Sequence, residues 1–323
     1  MYLSMIGSRL AARTPRIWTL WAASRPSQLA LILLLYLLGI GMSTAGSPVV
    51  AGGASASTWA DLRSPEPLRQ ALVGAAALLL VATAVHYGNE YADVDTDALT
   101  ERTPFSGGSG ALVDTGLPAS ILGRATAGAS IVALATVAGG TLTGVICPLA
   151  AALLVAMLIF GLAYSLPPIA LIRRGVGEPV NMVLGGLCVP VYGVAVVARP
   201  TVPAALAVVP FTLVIGCNLL AVHWPDRRAD AAVGKRTLAV RWSRPRLRSA
   251  YVVCAVASAL SVILLRSAGH IPDFVALAHL PAVPFLIWGW ITLTRRRTPL
   301  PAVAAMVVLA AATTFAWWWV GMG

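Results

Sequence analysis

Two acidic clusters stand out in a chain that is otherwise apolar. The first reads Asn89-Glu90-Tyr91-Ala92-Asp93-Val94-Asp95-Thr96-Asp97 and the second Asp226-Arg227-Arg228-Ala229-Asp230. Each contains Asp-x-x-x-Asp, which on a helix stacks both carboxylates on one face about one turn apart. Asn89, Asp93 and Asp97 fall at i, i+4 and i+8, one line along such a face. Asn offers a carbonyl oxygen and Asp a carboxylate, an oxygen-only donor set that suits Mg²⁺ rather than zinc. Mg²⁺ prefers one or two carboxylates and fills its shell with phosphate oxygens. Of only 12 acidic residues, Glu90, Asp93, Asp95, Asp97, Glu101, Asp226 and Asp230 lie in or beside these clusters, too concentrated for solubilising decoration. Two such clusters with cations nearby can hold a diphosphate as it departs. Arg102 follows the first cluster, and Lys235 and Arg236 follow the second. A greasy helical cavity beside them suits a long hydrocarbon tail, so the combination points to an isoprenyl diphosphate.

The elements that must position these residues are membrane helices. Hydrophobic residues make up 58% of the 323 and charged residues 11%, where soluble domains run near 25% charged. Apolar runs long enough to cross a hydrocarbon core of about 30 Å lie roughly at 27–46, 68–89, 119–140, 142–165, 179–198, 201–224, 249–267, 272–294 and 300–320. The clusters then fall in the polar loops that follow the second and sixth spans. The net charge of +11 sorts with this topology rather than with nucleic acid. With the N-terminus in the cytoplasm, all but Arg63, Arg69, Arg199 and Arg266 of the 23 basic residues fall on the cytoplasmic side, as the positive-inside rule requires. Both clusters share that side. The expected location is a bacterial or archaeal cell membrane, with the N-terminus and active-site loops cytoplasmic.

The expected organisation is a cytoplasmic interfacial segment, 1–26, and a single transmembrane domain, 27–323. Residues 1–26 lack a clean apolar stretch before a small-residue cleavage site, and their Arg and Trp suit an interface. Four helices separate the clusters, a spacing that suggests two pseudo-repeated halves sharing a cavity. Trp317-Trp318-Trp319 reads as an aromatic belt. Cys147, Cys188, Cys217 and Cys254 fall inside spans without metal spacing, and read as apolar packing residues. The loop Thr103-Pro104-Phe105-Ser106-Gly107-Gly108-Ser109-Gly110 is either a flexible connector or a lid whose amides turn toward an anion. His223 is either an ordinary interfacial histidine or a nitrogen donor or base near the site. His86, one turn before Glu90, either lines the same cavity or makes only an ordinary structural contact.

These residues carry a resemblance to the UbiA superfamily of intramembrane prenyltransferases. The family's first motif, Asn-Asp-x-x-Asp-x-x-x-Asp, is matched by Asn89-Glu90-x-x-Asp93-x-x-x-Asp97, and its second by Asp226 and Asp230. Gly234-Lys235-Arg236-Thr237-Leu238 is similar to the family's Gly-Lys-x-Thr-Leu run. Tyr164-Ser165-Leu166-Pro167-Pro168, with Arg173-Arg174 after it, resembles its Tyr-Ser-x-Pro-Pro loop, and Ser24-Arg25-Pro26 also fits. The match covers roughly residues 20–320 and is loosely nearest to quinone-pathway, dihydroxynaphthoate-type members. It implies an all-α integral membrane bundle of nine transmembrane helices around a central cavity. It implies Mg²⁺-bridged diphosphate between Asn89, Asp93 and Asp97 on one side and Asp226 and Asp230 on the other, with Tyr164, Arg102, Arg173 and Lys235 close by. Two departures are Glu90 in place of the usual Asp, and His223 near where many members carry Asn.

Three functions follow as expectations. The first is a Mg²⁺-dependent prenyltransferase that joins an isoprenyl chain to an aromatic or quinone-precursor acceptor, with Arg25 as an anchor for an acceptor carboxylate. The second is a terpene cyclase on the same scaffold, which needs no acceptor and would use cavity aromatics such as Tyr36, Phe160, Tyr192 and Phe211. The third, a transporter, fits poorly because the acids sit at loop ends rather than at the midplane. The expected partners are an isoprenyl diphosphate, an aromatic acceptor or none, and the lipid bilayer, with no nucleic acid.

Overall fold

The computed structural model describes residues 13–46, 48–50, 62–100 and 107–322. Among them there is no strand, only an isolated bridge between Val50 and Pro200. Nine helical segments are long and apolar enough to cross a membrane: Pro15–Thr44, Pro65–Ala92, Ser120–Leu142, Pro148–Ser165, Gly177–Val197, Val202–Ala232, Arg244–Ser267, Asp273–Thr292 and Leu300–Met322. They are numbered here as the first to ninth spans. The first packs on the fifth and ninth, the second on the third and fourth, the sixth on the seventh and ninth, and the eighth on the ninth. The outer helices keep large apolar side chains exposed, among them Ile131, Leu142, Ile263 and Leu264. A water-soluble monomer rarely tolerates such continuous apolar surface, whereas lipid matches it.

Proline and glycine decide several details. Pro26 disfavours a right-handed helical conformation at the residue before it. Arg25 leaves the right-handed region for the left-handed one at φ 53°, and the break splits the first span into Pro15–Ala23 and Pro26–Thr44. In the fifth span, Pro190 has no N–H to give the helix, and the turn before it is a π-helix, Met182–Cys188. The first and fifth spans cross where both carry glycine. A Cβ on Gly39 would lie 2.0 Å from the Pro190 carbonyl oxygen, and one on Gly193 2.3 Å from that of Tyr36. Such close crossing favours small residues in lipid.

Four expectations change in the structure. The acidic clusters are not in loops. The second span runs on through Asn89 and Glu90, and the sixth through Asp226 and Asp230 to Ala232. Hydropathy marks only the part of a helix that needs lipid, while the backbone ladder continues past it. Second, the tryptophans 317–319 do not all form a belt. Trp317 is buried, Trp319 is exposed, and Trp318 donates from Nε1 to the Leu37 carbonyl at 2.9 Å. Consecutive helical residues are about 100° apart, so a run of three cannot share one face. Third, Phe160 points outward rather than into a cavity. Fourth, Tyr36 and Tyr192 are tied into the packing, their rings 5.7 Å apart and their hydroxyls donating to Ala71 and Gly74 carbonyls of the second span. The four cysteines are free thiols.

Candidate active site

The first cluster straddles a joint between helices. The second span ends at Ala92, and a short helix, Val94–Leu99, continues from Asp93. The backbone ladder survives the joint, because Asp93 N–H donates to Asn89 and Asp97 N–H to Asp93, at 2.9 and 2.8 Å. The i, i+4, i+8 line read from the sequence is therefore kept. Asp95, off that line, is exposed. The short helix packs against the sixth span, which carries the second cluster. Pro225 lies inside that helix just before Asp226. It removes one ladder bond where the chain leaves the apolar region.

Lys235 joins the two clusters. Its Nζ lies 3.0 Å from Asp93 Oδ1 and 3.5 Å from Asp230 Oδ1. The backbone aims it there. Gly234 takes a left-handed turn after the sixth span, and Lys235 N–H donates back to the Asp230 carbonyl at 2.9 Å. Arg236 N–H then donates to the Ile172 carbonyl, and Arg241 Nη1 to the Gly175 carbonyl, so the loop after the sixth span is laced to the loop after the fourth. Burial works against the Lys235 ammonium, yet Asp93 and Asp230 outweigh it and hold its pKa above the ordinary lysine value. Asp97 shows the reverse balance. Burial, then the charges of Glu90 and Asp93, push its carboxyl up to about 7.

Glu90 does something the sequence did not suggest. Its Oε1 accepts from Arg25 Nε and Nη2 at 2.8 and 2.5 Å and from Ser109 N–H at 2.9 Å, while Oε2 accepts from Ser109 Oγ at 2.5 Å. Glu90 is thus a buried clamp between the break in the first span and the glycine-rich loop. Arg25, expected to anchor an acceptor carboxylate, is held by this internal carboxylate instead. The described part of the loop, 107–110, gives Ser109's amide to Glu90 rather than to an outside anion. Gly108 lies against Asp97: at φ +68° a Cβ there would sit 1.9 Å from Asp97 Oδ2. Arg102 and residues 103–106 lie outside the described residues.

A second buried carboxylate supports His223. Glu178 Oε1 is 3.1 Å from His223 Nδ1 and accepts the Leu238 N–H at 2.6 Å. Tyr164 sits within electrostatic reach of Glu178, Asp93, Asp230 and Arg25. His86 Nδ1 bonds the Ser24 carbonyl at 2.8 Å, the structural one of its two readings. The structure therefore brings Asn89, Asp93, Asp97, Asp230, Lys235, Tyr164, His223 and Arg25 to one end of the bundle. Arg173 and Arg236 are exposed there, and Asp226, one turn before Asp230, lines a neighbouring cavity. Sequence reasoning passed over Glu178. Its one signal was that a buried acid in a membrane protein is costly and rarely idle.

The arrangement holds a cation between two carboxylate groups drawn from helices four spans apart, with Lys235 as that cation. Among the described residues, no three His, Cys, Asp or Glu side chains converge closely enough to hold a metal ion by themselves. Asn89 Oδ1 is buried without a hydrogen-bond partner, an oxygen left available in the line of the first cluster. A donor set this open fits a hard cation whose remaining ligands are phosphate oxygens.

Comparisons with known proteins agree with this fold. The model of the UbiA prenyltransferase family matches residues 47–313. A UbiA homologue from Archaeoglobus fulgidus bound to DMAPP and Mg²⁺ superposes with a TM-score of 0.66 at 15% identity, covering 93% of this chain and 99% of that one. Its complex with GPP and Mg²⁺ gives 0.62 at 17%, again over 93% and 99%. A digeranylgeranylglyceryl phosphate synthase in membranes gives 0.62 at 12%, over 95% and 99%. At these identities the likeness establishes the fold. A search of curated proteins found no match.

Proposed function

The chain belongs to the UbiA prenyltransferase family, and from that membership we propose a Mg²⁺-dependent enzyme that ionises an isoprenyl diphosphate and transfers the chain to an aromatic or quinone-precursor acceptor. The observation that carries this reading is the Lys235 ammonium between Asp93 and Asp230, which marks where two acid clusters meet around positive charge. The A. fulgidus homologue binds DMAPP or GPP with Mg²⁺, which supports the same substrate class and ion here. Residues 27–323 form the transmembrane domain, Arg25 of the segment before it reaches the site, and the acid clusters and the N-terminus lie on the cytoplasmic side.

In this reading Asn89, Asp93 and Asp97 would hold Mg²⁺ from one side and Asp226 and Asp230 from the other. Bound there, the ion supplies charge neutralisation for the departing diphosphate. Lys235 turns its ammonium from the carboxylates to the diphosphate, with Arg102, Arg173 and Arg236 as the outer cations of the site. Tyr164 covers the buried side. Glu178 holds His223 by Nδ1, which leaves Nε2 to take the proton that an aromatic acceptor releases after the new bond forms. Arg25 acts through Glu90, by fixing the loop that carries Gly108 against Asp97.

The Asp97 carboxyl sets a pH dependence. With a pKa of about 7 before metal binds, it carries a proton below neutrality that Mg²⁺ must displace. Apparent Mg²⁺ affinity is expected to fall about tenfold per pH unit below 7 and to level off about one unit above it. Titrating Mg²⁺ calorimetrically between pH 6 and 9 checks this, and a flat profile removes Asp97 from the ligand set.

The function itself is tested by product mass spectrometry. Purified protein receives Mg²⁺ and geranyl, farnesyl or geranylgeranyl diphosphate, with and without aromatic acids such as dihydroxynaphthoate. A product at the summed mass less diphosphate, formed only with acceptor, supports the transferase. A terpene formed without acceptor overturns it in favour of the cyclase.

A further inference from the structure

A cavity of about 1380 Å³ opens beside the acid clusters, between the ends of the sixth and seventh spans and the turn after the eighth. Arg227, Arg228, Arg244, Arg248 and the arginine run 295–297 line it, against one carboxylate, Asp226. Asp93, Asp230 and Lys235 are not in its walls, so it lies beside the place where the clusters meet, with Asp226 the one cluster residue it shares. Positive-inside sorting explains why basic residues sit on this membrane face. It does not explain why three separate stretches of chain converge on one hollow.

The side chains are also held. Arg227 stacks on Trp224 with its guanidinium carbon 3.6 Å from the ring centroid, and its Nη1 donates to the Trp224 carbonyl at 2.6 Å. Arg248 lies over Trp290 at 5.0 Å and donates to the Leu293 carbonyl at 2.7 Å. Stacked, hydrogen-bonded arginines have lost much of the freedom that makes surface cations weak binders, and their forks match phosphate oxygens. So many like charges around one hollow repel one another until an anion enters.

The remaining wall is apolar. Val252 and Val253 of the seventh span line the cavity, and the same helix continues with exposed Val256, Leu260, Ile263 and Leu264. A basic cup therefore runs into a lipid-facing helix surface. We propose that this cavity binds the phosphate headgroup of an anionic lipid, with its acyl chain along the seventh span. Charge complementarity selects the head, and the continuous apolar wall selects a ligand with a chain over a free phosphate ion.

The test is native mass spectrometry of the full chain in detergent without Mg²⁺, titrated with phosphatidylglycerol, with phosphatidylcholine, and with glycerol phosphate as a chainless anion. Phosphatidylglycerol is expected to bind saturably, and the other two at least tenfold more weakly. Replacing two exposed cup arginines, Arg295→Gln/Arg296→Gln, is expected to weaken phosphatidylglycerol about thirtyfold, some fivefold per arginine. The same charge removed elsewhere on this face, Arg124→Gln/Arg246→Gln, is expected to cost no more than about threefold, since a diffuse surface field is shared and screened. Equal losses in the two double variants would overturn the site in favour of general surface attraction. Glycerol phosphate binding as tightly as phosphatidylglycerol would overturn the lipid as its ligand, and phosphatidylcholine binding as tightly as phosphatidylglycerol would overturn the role of the arginines. Should the double variant fail to fold, the single variants Arg295→Gln and Arg296→Gln each read about fivefold.

Discussion

Alanine at Asp93 or at Asp226 is expected to lower Mg²⁺-dependent turnover by about a thousandfold or more, from loss of several kcal/mol of charge stabilisation at the leaving diphosphate. The two residues come from different spans, so equal collapse in both variants tests the shared site rather than either helix. Neither change should unfold the protein. Asp93 sits at a joint whose backbone bonds do not involve its side chain, and removing it leaves Lys235 its second partner, Asp230. Asp226 lies near the end of a long helix whose packing is apolar and lies deeper in the bundle. Both variants should therefore elute from detergent extraction as the parent does, with unchanged helical circular dichroism. Near-normal turnover in either one, with Mg²⁺ still required, would mean that the clusters do not act together.

Lys235→Met should separate metal binding from turnover. Methionine keeps an apolar stem of similar reach but removes the charge. Asp93 and Asp230 then face each other without the cation that now lies between them, so Mg²⁺ loses its internal competitor. Mg²⁺ alone is expected to bind about tenfold more tightly, and to raise thermal stability more than in the parent. Without Mg²⁺ the variant is expected to be less stable by about 1–3 kcal/mol, because two partly buried carboxylates lose their shared partner. Turnover is nonetheless expected to fall about a hundredfold, since the ammonium that meets the diphosphate is gone. Calorimetry with Mg²⁺ and a kinetic assay, run on one preparation, read both effects. Unchanged Mg²⁺ affinity together with unchanged turnover would show that the lysine bridge is only a resting contact.

The chemistry was legible where it depended on local spacing. Asn89, Asp93 and Asp97 stay in line because one backbone ladder connects them. The clusters meet because they close the second and sixth spans at the same end of the bundle. Their exact setting was less legible. Hydropathy ended the sixth span at 224, whereas the helix continues to Ala232, because hydrogen bonding within a helix does not stop at the edge of an apolar region. Arg25 shows the harder case. Its position before the first transmembrane stretch suggested a role toward an acceptor, and only the fold reveals that Glu90, 65 residues away, already holds it.

The amino-acid sequence by itself determined the nine apolar spans, the pairing of acid clusters by helical period, and the kind of cation those oxygens suit. Each of these follows from rules that act within one helix: a length that crosses lipid, a 3.6-residue turn, a donor set. Tertiary structure alone decided the rest. It set Lys235 between Asp93 and Asp230, Glu178 beneath His223, Glu90 between Arg25 and Ser109, and seven arginines from three stretches around one cavity. Such contacts form between side chains that share no local period. They exist only after helix packing has brought their ends together, where the cost of burying a charge is met by whichever opposite charge the fold delivers.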